Sequence, residues 1–125
     1  MTPDRFRRIA LSLAGVEERE HMGHPDFRVG GKIFATLGYP DNQCGTVMLS
    51  PEDQSVLVRQ YPKAFTPAAG AWGRSGSTAV QLRHAPASAV RLAIEAAWER
   101  RALGTKPVRA RSRGPAAAKR RPRAV

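Results

Sequence analysis

The sequence predicts an α+β fold of two layers, an antiparallel meander sheet covered on one face by the N- and C-terminal helices. Three observations predict it. Helical periodicity with a single apolar face appears near the start of the chain (Phe6, Ile9, Ala10, Leu13) and near residue 95 (Val90, Ile94, Ala97, Trp98). Between them lie short alternating segments separated by turn residues, the pattern of strands joined by tight connections. Two helix starts carry explicit capping chemistry, Thr2-Pro3-Asp4 and Ser50-Pro51-Glu52-Asp53.

In chain order, the spacing predicts a first helix over residues 3–13, stopped by Gly15. The segment 16–21 is acidic, with Glu17, Glu18 and Glu20, and reads as an edge strand whose charge discourages unwanted pairing. Residues 24–37 then form a β-hairpin. Gly30-Gly31 supplies the two residues of positive φ that a two-residue turn needs. The expected register sets Phe27 opposite Phe34, Arg28 opposite Ile33 and Val29 opposite Lys32, and turns His24, Asp26 and Arg28 to the other face. Tyr39 to Gln43 is turn chemistry, and 46–49 reads as a further strand. A helix capped by Ser50 runs to about Gln60 and buries Val56 and Leu57. Residues 61–76, rich in Pro and Gly, read as an irregular stretch anchored by Phe65 and Trp72. A strand over 77–82 and a helix from Pro86 to about Leu103 complete the domain, expected to span residues 1–103.

Size and composition set limits. A chain of 125 residues supports one core, and 42% apolar residues suit a folded protein. No apolar run is long enough to span a bilayer. The first residues lack the apolar run of a secretory signal, and the single cysteine, Cys44, excludes an internal disulfide, so a cytoplasmic location is expected.

Charge is distributed unevenly. Residues 1–103 hold 13 Lys and Arg against 10 Asp and Glu. Residues 104–125 hold Lys106, Arg109, Arg111, Arg113, Lys119, Arg120, Arg121 and Arg123 and no acid, so +8 of the total +11 lies there. This segment has no apolar periodicity and contains Pro107, Pro115 and Pro122, so a disordered basic tail is expected. Uncompensated cations accumulate on polyphosphate with release of counterions, which points to nucleic acid as the partner, with DNA the form expected. A solubilising tail without a partner and an acidic protein are the other readings, and a membrane surface is disfavoured because the tail has no apolar face.

Several motifs are similar to those of one known family. Residues 6–18 (Phe6-Arg7-Arg8-Ile9-Ala10-Leu11 onward), the run from His24-Pro25-Asp26-Phe27 to Gly31-Lys32-Ile33-Phe34-Ala35, then Leu49-Ser50-Pro51-Glu52, then Gly70-Ala71-Trp72-Gly73 together resemble the MmcQ/YjbR family of small bacterial proteins. The resemblance covers about residues 3–102 and leaves the tail outside. It implies a frataxin-like (CyaY-like) α/β fold and a DNA-binding protein, and it implies no catalytic activity and no cofactor. Iron binding would follow only by analogy of fold. Glu17, Glu18 and Glu20 make a short ridge for it.

The expected function is therefore sequence-independent DNA binding without catalysis. The tail cations would supply affinity, and Arg28, Lys32 and Arg74 would position the domain. Lys32 reads either as a phosphate contact or as a solvated hairpin tip, because the P-loop pattern is absent. Trp72 with Arg74 reads either as a base-stacking loop or as a core-edge plug beside an exposed arginine. A second hypothesis is a pocket for an anionic metabolite, or an enzymatic pocket, built from His24, Lys32 and Trp72. A third is a protein-interaction module using the open face of the sheet. No metal is expected, since His21 and His24 span a strand end and a turn, with Asp26 or distant His84 as third ligand. No catalytic residue is assigned: Cys44 has no base in its vicinity by motif, and Ser50 is accounted for as a cap.

Overall fold

In the computed structural model, residues 1–39 and 41–103 are described. Pro40 and the basic segment 104–125, with all eight of its candidate DNA contacts, lie outside the described residues. Both predicted caps form. Thr2 Oγ1 accepts from Arg5 N (3.1 Å) to start α1 (Pro3–Leu11), and Ser50 Oγ accepts from Asp53 N (3.1 Å) to start α2 (Pro51–Gln60). Each satisfies one of the amide donors a helix start leaves open.

The strands are β1 (Val16–His21), β2 (His24–Val29), β3 (Lys32–Leu37), β4 (Cys44–Met48), β5 (Phe65–Pro67) and β6 (Ser77–Gln81). They form one antiparallel sheet in the order β1-β2-β3-β4-β6-β5. The first four make the predicted meander, with acidic β1 at its edge. The far edge differs from expectation. Within the stretch read as irregular, residues 65–67 pair with β6, and Gly70–Arg74 forms a short helix, α3. Three residues give no period-2 signal, so β5 exists only because β6 offers it a free edge.

The hairpin turn holds: Gly30 and Gly31 have φ of +60° and +80°, as the type I′ turn demands. The register does not hold throughout. Val29 pairs with Lys32 and Arg28 with Ile33, but Phe27 pairs with Ala35 rather than Phe34. A β-bulge shifts the register by one residue, and both Phe34 and Ala35 become fully buried in the same core. Burying a second aromatic ring favours this extra residue over strict alternation.

One face of the sheet is covered by α1 and by α4 (Ala87–Ala102). Phe6, Ile9 and Ala10 from α1 and Ala89, Val90, Ala93, Ile94 and Ala97 from α4 meet Phe27, Phe34, Val47 and Val80 in one cluster. Trp98 Nε1 donates to Ala14 O (2.9 Å), and Arg101 Nε donates to Ile33 O (3.1 Å), fixing the end of α4 to its neighbours. α2 corrects a further expectation: Leu57 is buried, whereas Val56 is half exposed. The inward position belongs instead to Gln54. Its Nε2 lies 3.0–3.1 Å from Gly73 O, Ser77 O and Thr78 Oγ1, so a buried amide ties α2 to α3 and β6.

Candidate functional site

The face of the sheet opposite α1 and α4 is concave and holds a cavity of about 520 Å3. Its floor comes from the outward-facing positions of the central strands, with Thr36 paired to Thr46 and Met48 to Ser77. Its walls are the β1–β2 turn (His21, Met22, His24), Tyr39, and the β5–α3 segment (Ala68, Ala69, Trp72). Three large side chains stand out into solvent at this rim: Met22 is 90% exposed, Trp72 75% and Tyr39 62%. Trp72 is thus no core plug. Phe65, with Ala64 and Tyr61 beside it, anchors its stretch in the core, and Trp72 is presented outward by α3. The His24 and Tyr39 rings meet edge-on at 6.0 Å.

Backbone geometry explains why α3 can hold Trp72 there. A Cβ on Gly73 would come within 1.8 Å of Ala68 O, and one on Gly76 within 1.8 Å of Leu49 O. Only glycine permits these approaches. Met22 sits at φ +53°, a conformation non-glycine residues rarely adopt, in the two-residue turn it shares with Gly23.

Beside the cavity lies a charged cluster. Asp26 is fully buried on the open face, which α1 and α4 leave uncovered. Arg28 closes over it, with Nε donating to Oδ1 (2.8 Å) and a terminal nitrogen to Oδ2 (3.0 Å). His21 Nδ1 lies 2.7 Å from Oδ2. An ionised carboxylate only accepts, so Nδ1 donates this bond, and Nε2 makes no hydrogen bond among the described residues. The Arg28 hydrogen bonds, helped by His21, hold the Asp26 carboxyl below its ordinary pKa of 3.8 against the opposing effect of burial. Asp26 in turn raises the pKa of the Arg28 guanidinium.

A second concavity, of about 270 Å3, lies on the helical layer. Arg5, Arg8 and Arg91 line it with Ile9 and Ser12. The two ion pairs that touch it are long and exposed, Arg8–Asp4 at 3.7 Å and Arg91–Glu95 at 4.0 Å. Such pairs hold their arginines weakly.

The expected site residues therefore scatter. His24 and Trp72 meet in the open-face cavity, while Lys32 lies outside it at the exposed hairpin turn. Arg28 is turned onto Asp26, and Arg74 is exposed at the end of α3. Sequence reading missed the roles of His21, Tyr39, Arg5, Arg8 and Arg91. For His21 a signal existed: a two-residue turn at Met22-Gly23 makes His21 and Asp26 diagonal neighbours on one face. Of the acidic ridge, Glu18 is engaged by Arg7 at 2.6 Å and Glu17 by Arg19 at 3.4 Å. Among the described residues no group of three or more His, Cys, Asp or Glu is placed to hold a metal. No helix among them is long and apolar enough to cross a membrane. Cys44 is a buried free thiol, its pKa pushed up chiefly by burial and also by Asp41, the opposite of an activated nucleophile.

No curated protein matches the chain. The YjbR family model matches residues 11–100, which takes in the β1–β4 meander, the Gln54 tie, the α3 turn and most of α4. The chain belongs to the YjbR family.

Proposed function

We propose that this protein binds DNA without strong sequence preference and without catalysis, through its basic surface and its C-terminal segment. The observation that carries the reading is the gathering of Arg5, Arg8 and Arg91 around one groove of the helical layer. It occurs in a chain whose last 22 residues hold eight cations and no acid. The exposed ion pairs at that groove are readily exchanged for phosphate, because each is worth little in water. Lys32 and Arg74, both exposed, are further phosphate contacts. Arg28 makes a lesser contribution, since its guanidinium already serves Asp26.

Fluorescence anisotropy with a short labelled duplex over a salt series tests the reading. Log affinity should fall linearly with log salt, with a slope of about −0.9 per phosphate neutralised. Removing residues 105–125 should flatten that slope strongly, and Arg5→Ala with Arg91→Ala should flatten it by roughly one to two contacts. Absence of binding at low salt, or affinity indifferent to salt, would refute it.

A further inference from the structure

We propose that the open-face cavity is a binding site for a small, uncharged, planar aromatic molecule bearing one hydroxyl or similar hydrogen-bonding group. This is a separate site from the basic groove, on the opposite side of the sheet, and it does not rest on DNA binding. Its size, about 520 Å3, is that of a small-molecule pocket. The lining disfavours an anionic ligand, since it holds no permanently charged side chain. No Lys, Arg, Asp or Glu lines the cavity, so a carboxylate or phosphate would lose hydration there without gaining a counter-charge. Lys32, the cation that an anionic ligand would need, is elsewhere in the fold.

What the cavity does offer is ring surface, the hydroxyl-bearing residues Thr36, Thr46 and Ser77 on its floor, and one imidazole oriented by a buried carboxylate. Trp72 and Tyr39 expose most of their area to solvent, at a cost that a folded chain tolerates for contact with a partner. Neither is loosely placed. Trp72 rides on α3, which is pinned by the Gln54 amide at Gly73 O and by the tight packing of Gly73 on Ala68. Tyr39 stands against the His24 ring. Met22, held at positive φ in its turn, adds a polarisable side chain to the rim. His21 is fixed by its Nδ1 bond to buried Asp26, and Arg28 keeps that carboxylate in place from the other side. Nε2 of His21 has no protein partner among the described residues and is the hydrogen-bonding partner for a ligand hydroxyl, which can donate or accept.

Three probes of one ring system, naphthol, naphthalene and naphthoate, separate these contributions when titrated calorimetrically into the full-length protein at neutral pH. Naphthol should bind about three- to tenfold more tightly than naphthalene, the worth of one net hydrogen bond. Naphthoate should bind at least about tenfold more weakly than naphthol. Trp72→Ala should weaken naphthol roughly tenfold. His21→Phe should bring naphthol down to the affinity of naphthalene and leave naphthalene itself unchanged, a split that general loosening of the fold would not produce. Tyr39→Ala provides a second rim variant should circular dichroism show that Trp72→Ala is unfolded. No naphthol binding at millimolar concentration, equal affinity for all three probes, or indifference to both rim variants would overturn the proposal. So would displacement of naphthol by a single-stranded oligonucleotide, which would make the occupant a nucleobase.

Discussion

Asp26 is the residue whose chemistry is most exposed to test. It is a carboxylate with no solvent exposure on a face that has no covering layer, and it survives there because neighbouring side chains form its cover. Arg28 and His21 bond it, and Arg19 stands opposite it on β1. Its pKa is lowered in the folded protein, principally by Arg28, so the unfolded chain binds its proton more readily. The stability it contributes is then fully present above the unfolded pKa, near 3.8, and is lost as pH falls through the lower folded value. Asp26→Asn should lower stability at neutral pH by on the order of 2 kcal/mol, reduced from the value for a wholly buried pair because Arg28 is partly in water. The difference in Tm between the two proteins should shrink as pH is taken below about 4. A difference that stays constant from neutral pH down to about 3 would show that packing, not charge, holds this corner. Alternation in the sequence placed Asp26 and Arg28 on one face. It did not reveal that Asp26 is buried, because that depends on side chains from two strands closing over it.

At the level of elements, the decisive positions are glycines of two different kinds. Gly30 needs only its positive φ, since a Cβ there would meet nothing within 4 Å. Gly76 has φ +114° and also lies against Leu49, whose amide donates to Gly76 O at 3.0 Å. Gly30→Ala should therefore cost about 1 kcal/mol, the penalty for a left-handed residue. Gly76→Ala should cost roughly 3 kcal/mol or more, because the backbone at Leu49, between β4 and α2, must move. Urea denaturation of the two variants measures the difference, and equal midpoints would contradict the close approach at Gly76. The Gly-Gly turn was legible because a hairpin turn is local. The sequence marked the Gly-rich stretch 61–76 as irregular without showing why Gly73 and Gly76 must be glycine, since the atoms that crowd them come from Ala68 and Leu49. The same reason hid α3 and β5. A strand of three residues and a helix of five have too little period of their own, and the neighbours β6 and Gln54 define them.

Over the whole molecule, the sheet divides two surfaces of opposite character. The helical layer carries arginines around a groove, and the open face carries rings around a cavity with no Lys, Arg, Asp or Glu in its lining. Saturating the protein with duplex DNA at low salt should therefore leave the affinity for naphthol within about twofold of its value in the free protein, since exposed charges beyond a Debye length of roughly 10 Å are screened. Calorimetric titration of naphthol into the preformed complex checks this. A large loss of affinity would place both ligands on one face.

The sequence by itself determined the layer architecture, the order of the first four strands, both helix caps, the type I′ turn and the uneven charge. Each of these follows from neighbours in the chain: a hydroxyl three residues before an amide, a glycine pair between alternating runs, apolar positions every three to four residues. Only the tertiary structure decided that Phe27 pairs with Ala35 across a bulge, that Gln54 rather than Val56 turns inward, and that Trp72 faces solvent. It alone brought His21, Tyr39 and Trp72 around one cavity and Arg5, Arg8 and Arg91 around another. These outcomes depend on competition for space among segments far apart in the chain, where burying one more ring or satisfying one buried amide outweighs local pattern.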